Sequence, residues 1–374
     1  MKFSIDRSDL LRALSHVHTI VERRNTIPIL ANVLLKAEDG ILFLNTTDMD
    51  LEVSESVPAT VDKPGATTVA ANTLYDIVRK LQDGATVSLE LPAGENRMLV
   101  KSGRSDFRLG CLPVEDFPQM SRDGDMPHKF SIPASQLRML IDRTRFAISN
   151  EETRYYLNGI FIHATESNGK QVLRAVATDA HRLARFEIPL PAGAENLTSG
   201  VIIPRKAVGE IRKLIEEAGD NIEIALSDTK MQCSFDHISL TTKLIDGTFP
   251  DYERVIPKNN DKILVINPAV FAGAVDRVST IATEKSRAVK LTLNGKTLTL
   301  SATSPESGSA SEEIEVTFDS DPVEIGFNAA YLMDVAKQME SDGCRLTLAD
   351  SASPTIIQDV GDENALYVLM PMRV

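Results

Sequence analysis

Hydrophobic and polar residues alternate at the start of the chain and then change to helical spacing. Lys2 to Asp6 reads as a half-buried strand, and Leu10, Leu14, Val17 and Val21 follow on one helical face. The same grammar returns as KFSIPASQLRMLIDRT (Lys129 to Thr144), with Leu137, Leu140 or Ile141, Thr144 and Ile148 in phase. It returns more faintly as KILVINPAVFAGAVDRV (Lys262 to Val278), with Phe271, Ala274 or Val275, Val278 and Ile281. Each strand passes into its helix through a polar or proline cap.

Halfway through each unit comes another strand-helix-strand run, at Thr67 to Leu91, Gly200 to Leu226 and Val323 to Ala349. Glycines at Gly84, Gly219 and Gly343 are expected to stop these helices in the left-handed conformation. The stretches between, such as ILFLNTTDMDLEVSESV, VLRAVATDAHRLARFEI and LTLSATSPESGSASEEIEV, alternate like half-buried antiparallel strands. The pattern predicts an α+β chain of six half-units, each a helix on a small antiparallel sheet, grouped into three similar domains. The proline-marked joints DFPQM (Asp116 to Met120) and TFPDYERV (Thr248 to Val255) place the boundaries near Asp125 and Asn259, giving domains 1–125, 126–259 and 260–374.

Composition narrows the class. A chain of 374 residues with 43% hydrophobic content can fill two or three cores. No apolar run of about 18 residues exists and the start is charged and amphipathic, so a cytoplasmic protein without a membrane partner is expected. Cys111, Cys233 and Cys344 are too scattered for a disulfide framework or thiolate site and are expected to be reduced core residues. No cofactor or metal is implied. Asp179-Ala180-His181 with Arg182 is the best catalytic candidate, an acid/base pair or two metal ligands, but a third ligand is not evident. His16 and His18 fall on different helix faces, and no phosphate-cradle or hydrolase motif occurs.

The net charge of −13 looks unfavourable for nucleic acid, yet distribution matters more than the total. Cations gather on the helices: Arg7, Arg12, Arg23 and Arg24; Arg79 and Lys80; Arg138, Arg143 and Arg145; Lys206, Arg212 and Lys213; Arg277, Lys285 and Arg287; Lys337. Acids gather in strands and loops, as at Asp48, Asp50, Glu52 and Glu55. Six helices spaced about 10 Å apart enclose a hole of roughly 10 Å, too narrow for a duplex. Twelve leave about 25 Å, enough for a duplex about 20 Å wide, so a head-to-tail pair of chains is the expected ring. A repeat scaffold that binds proteins and no DNA is the competing reading, and a monomer in light scattering would favour it.

The strings PIL (Pro28 to Leu30), RYYLNG (Arg154 to Gly159), ATDAHRLA (Ala177 to Ala184), PRK (Pro204 to Lys206), FPDY (Phe249 to Tyr252) and VLMPMRV (Val368 to Val374) occur in order along the chain. On these it resembles the bacterial DNA polymerase III beta subunit family over its whole length. The resemblance implies a DNA clamp fold, a head-to-tail homodimer around duplex DNA and a non-catalytic processivity role without exonuclease activity. It also implies a pocket for short linear motifs of the replicative polymerase alpha subunit, the clamp loader, other polymerases and repair or ligation proteins.

Carried over by position, the partner-peptide pocket comprises Leu157, Thr178, His181, Arg182, Leu183, Pro250, Arg254, Val255, Asn328, Tyr331, Val368, Leu369, Met370, Pro371, Met372 and Arg373. Leu157, Leu183, Val255, Val368, Met370 and Met372 are expected to line an apolar groove, with Arg182, Arg254 and Asn328 orienting an extended peptide. Ala180 stands where the family commonly has glycine, and Ser286 at an edge that is aromatic in some members. DNA contacts carried over are Arg24, Tyr155 and Tyr156; Arg205 and Lys206 are added on charge and placement. Arg104 and Phe107 are expected to meet Ile281, Glu306, Glu312 and Glu313 at the dimer seam, from family position and opposite charge.

Overall fold

The computed structural model describes residues 1–21, 26–120, 126–282 and 287–374. Among them run six helices: α1 (Arg7–Val17), α2 (Ala71–Lys80), α3 (Ala134–Asp142), α4 (Arg205–Leu214), α5 (Pro268–Ser279) and α6 (Ala329–Ala336). Each follows a strand, at Lys2–Asp6, Gly65–Ala70, His128–Pro133, Val201–Pro204, Lys262–Ile266 and Val323–Asn328. The turn from strand to helix is held by local chemistry. Asp6 accepts the Ser8 amide at 2.8 Å, Asn267 accepts Ala269 and Val270 at 3.0 and 3.1 Å beside Pro268, and Asn328 accepts Ala330 at 2.9 Å.

The chain divides into two compact units. The first comprises Met1–Ser135, Ala192–Ala194 and Lys206–Leu244, and the second Gln136–Pro191, Glu195–Arg205 and Ile245–Val374. The sheets explain why these cut the chain differently from three successive segments. In the first unit one 13-stranded antiparallel sheet runs unbroken, because Ile238–Lys243 pairs edge to edge with Leu51–Pro58. In the second, an 8-stranded sheet is continuous through the pairing of Arg182–Pro189 with Asp362–Leu369, and a 4-stranded sheet lies apart from it. The expected small sheets are thus fused, since an uncovered edge is a liability that pairing removes. Both proline joints are anchored by their aromatic residue. Phe117 packs with Ile29, Leu30 and Leu34, and Phe249 with Leu157, Val176, Leu183 and Val368.

Some expectations are corrected. Gly84, Gly219 and Gly343 do not cap their helices. α2 already ends with Leu81 extended, Gly84 makes a later turn at φ 72°, and neither Gly219 nor Gly343 has positive φ. Gly343 is instead a packing glycine, since an added Cβ would stand 2.9 Å from the Val360 side chain. The strand Lys170–Thr178 is buried on both faces from Val172 onward rather than alternating. Cys233 and Cys344 are buried, and desolvation pushes the Cys344 thiol up to about 12, but Cys111 is only half-buried.

A charged cluster sits inside the first unit. The Glu55 side chain, fully buried on Leu51–Pro58, meets His16 Nδ1 of α1 at 2.8 Å, and His237 Nε2 stands 3.5 Å from its other oxygen. Glu217 lies 3.0 Å from His16 Nε2, close enough for charge but outside hydrogen-bonding geometry. Burial alone would lower the His16 pKa, yet the contacts with Glu55 and Glu217 outweigh it and the net shift is upward from 6.5. A raised folded-state value stabilises fully below the unfolded value and fades as pH rises through the folded one. His16→Gln should therefore cost most stability at and below about pH 6 and progressively less as pH rises above it, read as denaturation midpoints against the unsubstituted chain. A gap that widens with pH would refute this.

Candidate peptide groove and nucleic-acid contacts

The turn Thr178–Leu183 is locked by its own side chains. Thr178 Oγ1 donates to the Arg182 carbonyl at 2.6 Å and accepts the Ala180 amide at 3.2 Å, while Asp179 Oδ1 accepts the His181 and Arg182 amides, each at 3.0 Å. This forces Ala180 to φ 72°, a region that costs a residue bearing Cβ about 1–2 kcal/mol. A glycine at this position would therefore have a physical reason. Ala180→Gly should stabilise the chain by about 1 kcal/mol, after allowing for glycine's greater unfolded freedom. A lower thermal midpoint for the variant would contradict it.

Asp179, read as a possible acid/base group, is committed to this turn and to Arg182 Nε at 3.1 Å. Arg182 is likewise consumed. Nη1 donates to Asp334 at 2.6 Å, Nη2 to the Phe146 carbonyl at 2.6 Å, and the guanidinium lies 4.3 Å from the Tyr331 ring centroid. It holds α6 to the turn and has no fork left to orient a peptide. Asn328 is the α6 cap, its Oδ1 accepting the Ala330 amide. Arg254 remains available, 85% exposed in its side chain and, among the described residues, paired with nearby Asp251 at 2.7 Å.

The apolar positions divide by burial. Leu157, Leu183 and Val368 belong to one buried cluster and Leu369 is also buried, so they form a floor beneath the surface instead of accessible walls. Val255 and Met370 are exposed, and Tyr331, Pro371 and Met372 are half-buried. The Met370 amide donates to the His181 carbonyl at 2.9 Å, and His181 stacks at 6.4 Å on Tyr331. The Met372 amide donates to the Gly326 carbonyl at 2.7 Å, which lays the last residues along Val323–Asn328. The structure thus brings the turn, α6 and the C-terminal strip together.

Of the DNA candidates, Arg24 lies outside the described residues, as does the pocket-edge Ser286. Tyr155 is 54% exposed and meets half-buried Tyr156 edge to face at 5.8 Å. Arg205 follows closely in space, its amide donating to the Asn158 carbonyl at 2.9 Å. Lys206, in the other unit, is partly spent: it pairs with Asp48 and donates to the Ile20 carbonyl at 3.1 Å.

The expected basic helix surface is thinner than the cation count suggested. Arg7 ties α1 to α2 through Asp83 and the Val78 and Arg79 carbonyls, and buried Arg143 holds the Gln338 carbonyl and Glu340. Arg23 and Lys285 lie outside the described residues. Among the described ones, Arg12, Lys80, Arg205, Arg287 and Lys337 are exposed and enter no ion pair.

The strands at the expected seam are both poorly covered. Ser105–Leu112 pairs with Arg97–Ser102 on one side but touches Gly65–Ala70 only through Leu112 and Cys111, and Gly308–Glu315 ends its sheet. Arg104, Glu306 and Glu313 are exposed, and Phe107 and Ile281 are half-buried. Glu312 is already held by Arg277 at 2.6 and 2.9 Å, which also keeps its carboxyl below the usual range.

Family profiles match in three consecutive stretches: the DNA polymerase III beta subunit N-terminal domain at residues 1–121, its central domain at 131–251 and its C-terminal domain at 253–373. The chain belongs to the DNA polymerase III beta subunit family. It is 50% identical to the beta sliding clamp of Caulobacter vibrioides over 374 residues and 38% identical to that of Escherichia coli K12 over 375, with 100% of both chains covered in each case. The crystal structure of the Caulobacter crescentus clamp superposes with a TM-score of 0.97 at 50% identity, covering 100% of this chain and 99% of that one. The Bartonella birtlesii clamp, solved bound to griselimycin, gives 0.96 at 49% identity with both chains fully covered. The fold is therefore that of three clamp domains in succession.

Within this family fold, sequence reasoning missed Asp334 and Phe146, which fix Arg182, and Gly326, which seats the tail. The first two leave no local signal, because their partner is remote in sequence. Gly326 did leave one: a lone glycine inside an alternating strand marks close approach of another backbone.

Proposed function

We propose that the chain pairs head to tail with a second copy to form a ring around duplex DNA, and there acts as a non-catalytic cytoplasmic processivity factor. The full-length match to three successive clamp domains carries this reading. The domains run 1–125, 126–259 and 260–374, and two copies supply the twelve helices that a duplex-sized hole requires. The seam forms between the open edges of Ser105–Leu112 and Gly308–Glu315, with Arg104 facing Glu306 and Glu313 and with Phe107 beside Ile281. Glu312, already paired, contributes less. Two such strands with matching exposure patterns are suited to edge-to-edge addition.

DNA contacts through Arg24, Tyr155, Tyr156 and Arg205, with a lesser part for Lys206, are few and made to the phosphate backbone, which lets the ring slide. Polymerases, the clamp loader and repair or ligation proteins dock by short motifs on the groove of Val255, Tyr331, Met370 and Met372, with Arg254 at its rim. The commitment of Asp179 to its turn supports a role without chemistry. Loaded onto closed circular DNA, the protein should stay bound in about 0.5 M salt, where charge contacts are largely screened, and run off once the circle is cut. Equal loss from circular and linear DNA in gel filtration would overturn the ring.

A further inference from the structure

The turn that sets His181 and Arg182 is built twice. In the first unit Thr47-Asp48-Met49-Asp50-Leu51 repeats Thr178-Asp179-Ala180-His181-Arg182 bond for bond. Thr47 Oγ1 donates to the Leu51 carbonyl at 3.0 Å and accepts the Met49 amide at 2.9 Å. Asp48 Oδ1 accepts the Asp50 and Leu51 amides at 2.9 and 2.7 Å, and Met49 has φ 77° where Ala180 has 72°. The neighbouring strand repeats as well: Leu51 pairs with Thr242 as Arg182 pairs with Leu369. The Lys243 amide donates to the Asp50 carbonyl at 2.8 Å, as Met370 donates to His181 at 2.9 Å. A Phe-Pro connector with its phenylalanine buried accompanies each turn, Phe117-Pro118 here and Phe249-Pro250 there. Lys243 therefore holds the place of Met370.

These residues enclose a cavity of about 220 Å³ lined by Met49, Pro118, Gln119, Met120, Lys230 and Lys243, and a further one of about 390 Å³ shares Gln119. Gln119 lines both, but Glu38 and Glu55 line the larger one, so the groove that concerns an acidic segment is the smaller, beside Lys243. We propose that this groove is a second docking site, for an extended acidic segment of a protein partner. Charge selects the occupant. Where the first groove has a methionine, this one has the Lys243 ammonium, 52% exposed, with Lys230 in the same wall. Lys243 meets Asp50 at 2.9 Å, but Asp50 is 78% exposed, and such a solvated pair contributes little that an incoming carboxylate must replace. Met49, 48% exposed, and Met120 supply adaptable apolar surface. The Met120 amide, bound to the Glu52 carboxylate at 3.0 Å, fixes that wall. The inference rests on the peptide reading of the first groove only for the idea that such a turn accepts a chain segment.

The methionines report both grooves separately. The full chain, labelled at its methionine methyls and assigned with Met49→Leu and Met370→Leu, is titrated with an acetylated, amidated Glu-Leu-Glu-Leu-Asp-Leu peptide and with its Gln/Asn counterpart. The acidic peptide should shift Met49 and Met120, the neutral one should bind there more weakly, and Lys243→Glu should weaken the acidic peptide roughly three- to tenfold. Response confined to Met370 and Met372, equal binding of both peptides at Met49, or no effect of Lys243→Glu overturns the proposal. Response at Met49 and Met120 with none at Met370 and Met372 supports it while sinking the first-groove reading.

Discussion

Replacing Arg174 with methionine should destabilise the second unit by about 3 kcal/mol, because it strands a carboxylate in the interior. Arg174 and Glu187 have side chains only 6% and 7% exposed, and Nε donates to Glu187 at 2.8 Å. The same guanidinium donates to the Tyr252 hydroxyl at 2.8 Å and to Glu253, so it pins the joint that follows Phe249. Around it, burial first and the Arg174 charge second depress the His163 pKa to about 4, and neutral His163 bonds the Tyr252 hydroxyl at 2.8 Å. The cost lies at the low end of the range for breaking a buried pair, since Arg185 Nε waits 3.4 Å from Glu187. Calorimetry should show the affected transition falling by roughly 6–12 °C. Adding Glu187→Gln should restore much of the loss, because no buried charge is then uncompensated. A shift of under about 2 °C for the single variant would show that the pair is not stabilising.

The second large effect is expected at Gly326. An added Cβ there would stand 2.7 Å from the Met372 carbonyl oxygen and closer still to the Val374 side chain. The strand itself has no reason to move, because Val323–Asn328 is held to Ala288–Asn294 over six residue pairs. Gly326→Ala should therefore push the tail off, at a cost of about 1–3 kcal/mol, and weaken motif peptides at least roughly tenfold through misplacement of Met372. Removing Met372–Val374 separates cause from coincidence. In that shortened chain Gly326→Ala should leave both stability and residual peptide affinity unchanged, whereas an equal loss in both backgrounds would place the damage in the strand.

Much of the architecture was legible because burial on one face of a strand or helix is a local property. The spacing of Leu10, Leu14 and Val17, or of Phe271, Val275 and Val278, is enough to predict which side faces a core, and all six are buried. Repetition of that spacing gave the half-units, and the caps at Asp6, Asn267 and Asn328 act within three residues of themselves.

The groove was legible only as a set of positions. That Arg182 would be spent on Asp334, 152 residues away, depends on where α6 comes to rest. The same holds for Arg277 on Glu312, and for Arg143 with the Gln338 carbonyl, so a count of helix cations overstated the free charge. Glycine stops failed for a related reason: α2 ends with Leu81 extended before the glycine is reached, and Arg7, remote in sequence, takes up the Val78 and Arg79 carbonyls of its last turn. The sequence by itself determined the repeated strand-helix units and their buried faces, because side-chain period and capping are decided within a few residues. The tertiary structure alone decided which charges remain free, which sheets fuse and where the tail docks. Each of these is a pairing between distant residues, chosen by competition among many possible partners.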